Sequence, residues 1–288
     1  MVSPTRRRDA AEYLQRRFKV SERRACKVVD QWRSTNRHKA ASSEFEQRLL
    51  KRLHELASQH PQEGYKTIHG RLRLDGWMVN PKRIGRLWRL EGLQQPIRQA
   101  SGKRAQGASE NAVWQRRAEW PDHVWAYDFV TGRTSDGRAF RVLNIFDEFT
   151  REVVHCEIHR NIGSRRVQLV LAELFARKGR PGMIRSDNGR ELIATELTSW
   201  IAGQGVECAF IEKGRPNQNG YVERFNGLMR RHVLDVEIFH SLLEARVVLG
   251  DWVTGYNTTR PHGAIGKIPP TTFRKRWKET LAPPVSHT

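Results

Sequence analysis

Three acidic residues stand out by their surroundings: Asp128 inside "WAYDFVTG", Asp187 in "IRSDNGRE" and Glu223 in "GYVERFNG". Asp128 interrupts the apolar run Val124, Trp125, Ala126, Tyr127, Phe129, Val130, and burying a lone carboxylate costs several kcal/mol unless something pairs with it. Asp187 follows the apolar pair Met183–Ile184 and precedes a glycine turn, the kind of strand end where ligand-facing residues of α/β sheets gather. Glu223 flanks the helical stripe Val222, Phe225, Met229 and Val233, beside a face that must be buried. Singly, each acid has an ordinary reading: an ion pair at a strand edge, turn chemistry, a helical glutamate beside Arg224.

Together they share a site only if positive charge compensates them. Hard divalent cations with oxygen ligands do this, and Mg²⁺ takes carboxylates together with water and substrate phosphate. Two such ions about 3.5–4 Å apart stabilise the entering and leaving oxygens of an in-line phosphoryl displacement. In that arrangement Asp128 bridges two Mg²⁺ (or Mn²⁺) ions, Asp187 holds one and Glu223 the other. No covalent protein nucleophile is required, because water or a DNA 3′-hydroxyl attacks directly.

The elements needed to position these acids follow in order. "VWAYDFVTG", "AFRVLNIFDEF" and "EVVHCEIH" read as three consecutive strands, with "TSDGR" as a turn between the first two. A helix follows ("SRRVQLVLAELFARKG"), then a strand ("GMIRSDNG"), a helix ("ELTSWIAGQG"), a strand ("VECAFIE") and the long helix "NQNGYVERFNGLMRRHVLDV". Three antiparallel strands followed by alternating helices and strands predict an α/β sandwich on a mixed five-stranded sheet, the strand order of ribonuclease-H-like nucleases. This core is expected over 121–238, with one more helix and an irregular tail marked by "PPTTF" over 239–288.

Ahead of the core the chain is helical and basic. Residues 1–120 hold 27 Lys+Arg against 12 Asp+Glu, whereas 121–288 hold 24 against 19, so +15 of the net +20 lies in the first part. That asymmetry points to a polyanion-binding portion followed by something else. Residues 1–40 read as a helix-turn-helix-like module: "DAAEYLQRRF", a turn, "ERRACKVV" capped by Ser21, then "DQWRSTNRHK" as the place for a recognition helix. A second helical DNA-binding module is expected over 41–94, with Phe45, Leu49, Leu53 and Leu56 forming one stripe. Its last helix starts at Asn80–Pro81 and buries Ile84, Leu87 and Trp88. Lys82, Arg83, Arg86 and Arg89 then form an outer basic face suited to phosphate contacts. Residues 95–120 form a basic linker.

Other classes are excluded. Cys26, Cys156 and Cys208 form no CxxC pair, which fits a reducing compartment and rules out a cysteine-rich zinc site. No apolar run approaches a membrane span and no signal-peptide region is present, so a cytoplasmic, nucleoid-associated protein is expected.

The segments "WAYDFV", "RSDNG", "GRPNQNGYVERFNG" and "YNTTRPH" resemble the second-reading-frame transposases of the insertion-sequence "IS-three" family. "FKVSERRACKVV" and "GYKTIHGRLRLDGW" extend the resemblance over nearly the whole chain. Residues 188–222 leave 35 positions between Asp187 and Glu223, the family's spacing, and Arg230 holds its basic position two helical turns beyond the glutamate. The resemblance implies a retroviral-integrase-like core in which Asp128, Asp187 and Glu223 are catalytic metal ligands and Arg230 contacts DNA near the cleaved phosphate. Arg224 and Arg231 are further DNA-contact candidates; Asn188 and Gly189 shape the turn at Asp187, and Asn219 and Gly220 place the backbone before Glu223. Tyr256, Asn257, Arg260, Pro261 and His262 match a C-terminal motif that is structural or DNA-positioning.

The implied activity is metal-dependent cleavage at element ends followed by strand transfer into DNA. The implied partners are DNA, further copies of the chain as a homo-oligomer on that DNA, and an upstream helix-turn-helix and leucine-zipper segment joined by frameshifting. A catalytically silent DNA-binding regulator and a nuclease of the same fold stand as alternatives. The chain departs from the family pattern at Gln62-Glu63-Gly64, at Asp30 and Trp32, and at Arg231-His232.

Overall fold

The computed structural model describes residues 4–37, 44–95, 117–186, 195–210 and 220–281. They fall into two compact units, Met1–His54 and Glu55–Thr288.

In the first unit, α1 (Pro4–Phe18), α2 (Glu22–Val28) and α3 (Arg33–Arg37) pack on one another. Ser21 caps α2 by accepting from the Arg24 amide at 3.4 Å, as its position predicts. Lys19 and Asp30 take left-handed turns at φ 48° and 51°. The recognition helix expected over 30–39 is a single turn in the described residues, α3, with no buried side chain. Ser34, Thr35 and Asn36 disfavour helix interior; the turn is tied down by Arg8, which donates to the Asn36 and Thr35 carbonyls at 3.0 and 2.9 Å, and by Arg37 Nε, 3.0 Å from both Glu22 carboxylate oxygens.

Helix α4 (Glu44–Gln59) runs across the division between the units. Leu49, Leu53 and Leu56 are buried as the stripe predicts, whereas Phe45, in the first turn, is exposed. In the second unit, α5 (Tyr65–Leu74) packs on α6 (Pro81–Leu90). Asn80 caps α6 on the Lys82 amide at 2.8 Å, and Ile84, Leu87 and Trp88 are buried.

The sheet has the order β3-β2-β1-β4-β5. Its strands are β1 (Val124–Arg133), β2 (Ala139–Asp147), β3 (Val153–His159), β4 (Met183–Ser186) and β5 (Glu207–Phe210). The first three are antiparallel, and β4 and β5 run parallel to β1. Side chains alternate across the central strand. Trp125 and Tyr127 enter the core beneath α7 (Ser164–Lys178) and α8 (Thr195–Gly203). Ala126 and Val130 enter the opposite core, beneath α9 (Gly220–Met229) and α10 (Leu242–Thr258). The predicted long helix ends at Met229 and continues as a π-helical turn, Arg230–Leu234. Its buried stripe is the expected one, Val222, Phe225, Met229 and Val233.

The segment expected to be an irregular tail forms helix α11 (Pro270–Leu281) instead. Consecutive prolines read as a break, but proline at a first helical position starts a helix, since its missing N–H has no intrahelical partner there. Arg274 of α11 then bonds Asp122, Asp147 and Glu152 together.

Candidate active site

Asp128 occupies the position between Ala126 and Val130, so the strand's alternation turns it toward α9. It is half-buried rather than enclosed. The Asn226 amide Nδ2 donates to Asp128 Oδ2 at 2.9 Å, and the Phe129 N–H donates to Oδ1 at 2.7 Å. Asn226 is itself fixed from behind: its Oδ1 accepts from Asn144 Nδ2 at 2.7 Å. Asn144 is the cross-strand partner of Asp128 on β2 and is completely buried. Asn144, Asn226 and Asp128 thus form a chain of side-chain hydrogen bonds that runs from β2 through α9 to the carboxylate on β1.

Glu223 lies three residues before Asn226 on α9, hence on the same face, and it is exposed. Arg230, four residues beyond Asn226, donates to the Thr131 carbonyl of β1 at 3.2 Å and lies 3.6 Å from Asp235. Thus β1 and α9 bring Asp128, Glu223 and Arg230 to one side of the sheet. Asp187, Asn188, Gly189 and Asn219 lie outside the described residues. Tyr127 and Ser186, the residues just before Asp128 and Asp187 in sequence, are the last partners in the β1–β4 register. Gly220 is the first residue of α9. Among the described residues no three His, Cys, Asp or Glu side chains gather as a metal centre.

The other predicted contacts separate into two places. On α6, Lys82, Arg86 and Arg89 are exposed and Arg83 is half-buried. Lys82 and Arg89, with Lys66, Lys267, Tyr65 and Trp88, line a broad groove of about 960 Å³. Arg224 and Arg231 lie around α9 from Glu223, toward Tyr256, Arg260 and His262.

The "YNTTRPH" motif has a structural part that is directly visible. Tyr256 is buried edge-on against Phe225, with centroids 5.0 Å apart. Asn257 clamps β3 with both ends of its amide, donating to the Val153 carbonyl and accepting from the Val153 N–H, each at 2.9 Å. Arg260 bonds Glu63, which is 3% exposed and also holds Arg71 at 2.7 and 2.8 Å. Those two guanidinium groups keep the Glu63 carboxyl below its ordinary pKa despite burial. Pro261 packs on Gly70 of α5 so closely that a Cβ there would lie 2.8 Å from its ring.

Sequence reasoning missed Asn144, Asn226, Glu63 and Arg274. The signal for Asn226 was its spacing of three from Glu223 in "ERFNG"; for Glu63 it was the departure from the family pattern.

The antiparallel three-stranded edge, the parallel β4 and β5 and the acid on the central strand define a ribonuclease-H-like, integrase-type core. The description "Integrase core domain" matches residues 118–216 and again 204–270, and "HTH-like domain" matches 44–101. The chain belongs to the insertion-element transposases, with the features of the "IS-three" family.

It is 34% identical over 281 residues to an uncharacterized 39.2 kDa protein of insertion element IS476 from Xanthomonas euvesicatoria, covering 98% of this chain and 80% of that one. It is 32% identical to an uncharacterized 31.7 kDa protein of IS407 from Burkholderia multivorans, covering 95% and 97%. The transposase of IS904 from Lactococcus lactis is 26% identical over 73% of this chain and 85% of its own. Among solved structures, the HTLV-2 integrase catalytic core in complex with magnesium aligns with 56% of this chain and 99% of its own, at 19% identity and a TM-score of 0.43. No helix among the described residues is long and apolar enough to cross a membrane.

Proposed function

We propose that this chain cuts DNA at the ends of an insertion element and joins the freed 3′ ends to new DNA, with Asp128, Asp187 and Glu223 as ligands of Mg²⁺ or Mn²⁺. The observation that carries the reading is the joining of Asp128 to α9 through Asn226, one turn from Glu223. The donor set fits a hard divalent cation: carboxylate oxygens, one of them oriented by an amide. Two such ions would supply charge compensation at the attacking and leaving oxygens of phosphoryl transfer. The chain's own residues perform the positioning. Asn226 and Asn144 fix the Asp128 carboxylate, and Arg230 stands on the same side of the sheet, where its charge favours a phosphodiester approaching the acids.

End recognition is assigned to the basic helical modules, with homo-oligomer assembly on the DNA and an upstream-frame helix-turn-helix partner as parts of the same proposal. The test incubates DNA from both flanks of the gene with the purified chain, with and without the upstream segment, in Mg²⁺ or Mn²⁺, beside Glu223→Gln. Nicking and joining at a defined end, lost in the variant, is the expected outcome. Nicking without joining would favour a nuclease, and binding without cleavage under every condition a regulator.

A further inference from the structure

A second charged site lies away from the carboxylates, around α9 from Glu223. There a cavity of about 280 Å³ is lined by Arg151, Arg224, Arg231, Arg260, Tyr221 and His262, over a floor that includes Phe225 and Tyr256. Among the described residues no carboxylate lines it. Arg260 is already engaged by Glu63, so among those residues the guanidinium groups of Arg151, Arg224 and Arg231 face the cavity without a carboxylate on its wall. Glu148, whose carboxyl feels Arg151, is held through both oxygens by Arg185 at 2.6 and 2.7 Å.

Arg151 is the informative member. Its guanidinium lies flat on the Tyr221 ring, 3.6 Å from the centroid. Stacking uses the π face of the group and leaves the N–H edges free for an acceptor in its plane. Arg151 Nε and Nη1 are both buried without a hydrogen-bond partner, and so is His262 Nδ1 in the same cavity. Leaving the buried Arg151 donors unmade is unfavourable, and a bound acceptor would recover that loss. The backbone is committed as well, since Arg151 sits at φ 65°, a left-handed conformation that is strained for a non-glycine residue. The turn that imposes it is rigid: Asp147 accepts from the Phe149 N–H at 3.0 Å and the Thr150 hydroxyl at 2.7 Å, and its carbonyl accepts from the Arg151 N–H at 2.9 Å. Desolvated donors, excess cationic charge and an aromatic wall define a receptor for a phosphate group.

We infer that this cavity binds a backbone phosphate of the DNA strand, remote from the phosphodiester at the carboxylates, with Arg151 as its principal donor. The identity of the occupant rests on the proposed function, because free phosphate has the same chemistry; the arms of the test separate the two.

The full chain with ¹⁵N-labelled arginine is titrated first with inorganic phosphate and then with a DNA duplex, without divalent metal, following the Nε–H resonances. DNA affinity is measured as a function of salt for the wild type, Arg151→Met, Arg151→Lys and Tyr221→Leu, with thermal unfolding to establish folding. The expected result is a shift of the Arg151 resonance with both additives. Arg151→Met should weaken DNA several-fold regardless of sequence and reduce the salt slope by about one. Arg151→Lys should recover part of that loss, and Tyr221→Leu should resemble Arg151→Met. A phosphate-induced shift with unchanged DNA affinity in both variants would overturn the DNA assignment in favour of a free anion. No shift with either additive would overturn the site. Since no arm uses metal or turnover, failure here is separable from loss of the proposed cleavage activity.

Discussion

Asn226 donates to Asp128 at 2.9 Å from a position three residues beyond Glu223, so a single turn of α9 carries one proposed metal ligand and the clamp on another. Any shift of α9 along β1 would disturb both at once. Burial of Val222, Phe225 and Met229 opposes such a shift. The rigidity of the candidate site therefore comes from the hydrophobic stripe, and its orientation from two amides.

Asn226→Ala is expected to leave the fold standing, with turnover reduced by about 10–100-fold, the usual cost of losing a group that orients a ligand. Asn226→Asp should be at least as damaging, because it places a second carboxylate against Asp128 and removes the donor. Steady-state cleavage beside thermal unfolding checks this; an active, stable Asn226→Ala protein would remove the clamp from the account.

Much of this arrangement was legible in the sequence, and the residues explain which part was not. The apolar run around Asp128 in "WAYDFV" places it on a strand, and the spacing of Val222, Phe225, Met229 and Val233 sets the buried side of α9, because both signals come from solvent exclusion. The partner of Asp128 was not legible. An asparagine inside a helix carries weak propensity and no periodic signature, so its meaning appears only when β1 and α9 are brought together. Glu63 and Arg260 form a bond across nearly the whole of the second unit, and no local pattern encodes such a pairing. In α11 local signals pointed the wrong way, since "PPTTF" looks like a break and the helix it starts is held by Arg274.

Arg274 is the point at which that helix is tied to the sheet. Its guanidinium meets Asp122, Asp147 and Glu152, and these carboxylates raise its pKa further. Arg274→Met should destabilise the second unit by about 3–5 kcal/mol, the cost of leaving buried charge uncompensated. Urea unfolding measures it. A loss below about 1 kcal/mol would show the network to be no stronger than an exposed ion pair.

Two glycines give opposite expectations for the same substitution. Gly70→Ala puts a methyl group 2.8 Å from two ring carbons of Pro261, and such overpacking costs about 1–3 kcal/mol. Gly250→Ala, inside α10 with nothing within 4 Å of the added Cβ, should stabilise by about 0.5–1 kcal/mol. Parallel denaturation curves decide both signs.

Acid should loosen the second unit through two histidines. Burial holds His232 and His262 at about 4, with Arg260 and Arg231 adding to it at His232, and Arg151, Arg260 and Arg224 at His262. Glu63 opposes the shift at His232. Both folded values lie below the unfolded value of about 6.5. The unfolded chain therefore binds more protons in between, and stability falls as pH drops from about 6.5 toward 4. Asp147 and Glu148, raised by burial, change stability in the opposite sense. The difference in Tm between wild type and a His232→Gln, His262→Asn double variant isolates the histidines: it should narrow on acidification across this window. A constant difference would contradict the assignment.

In the proposed function Asp128 and Glu223 serve one metal site organised by Asn226, and the decisive measurement is Mn²⁺ binding to the full chain. Isothermal titration and the Mn²⁺ electron paramagnetic resonance signal should both report binding to the wild type. Binding should weaken in Asp128→Asn and in Glu223→Gln, and by about 10–100-fold in Asn226→Ala. Equal Mn²⁺ affinity in the wild type and all three folded variants would contradict it.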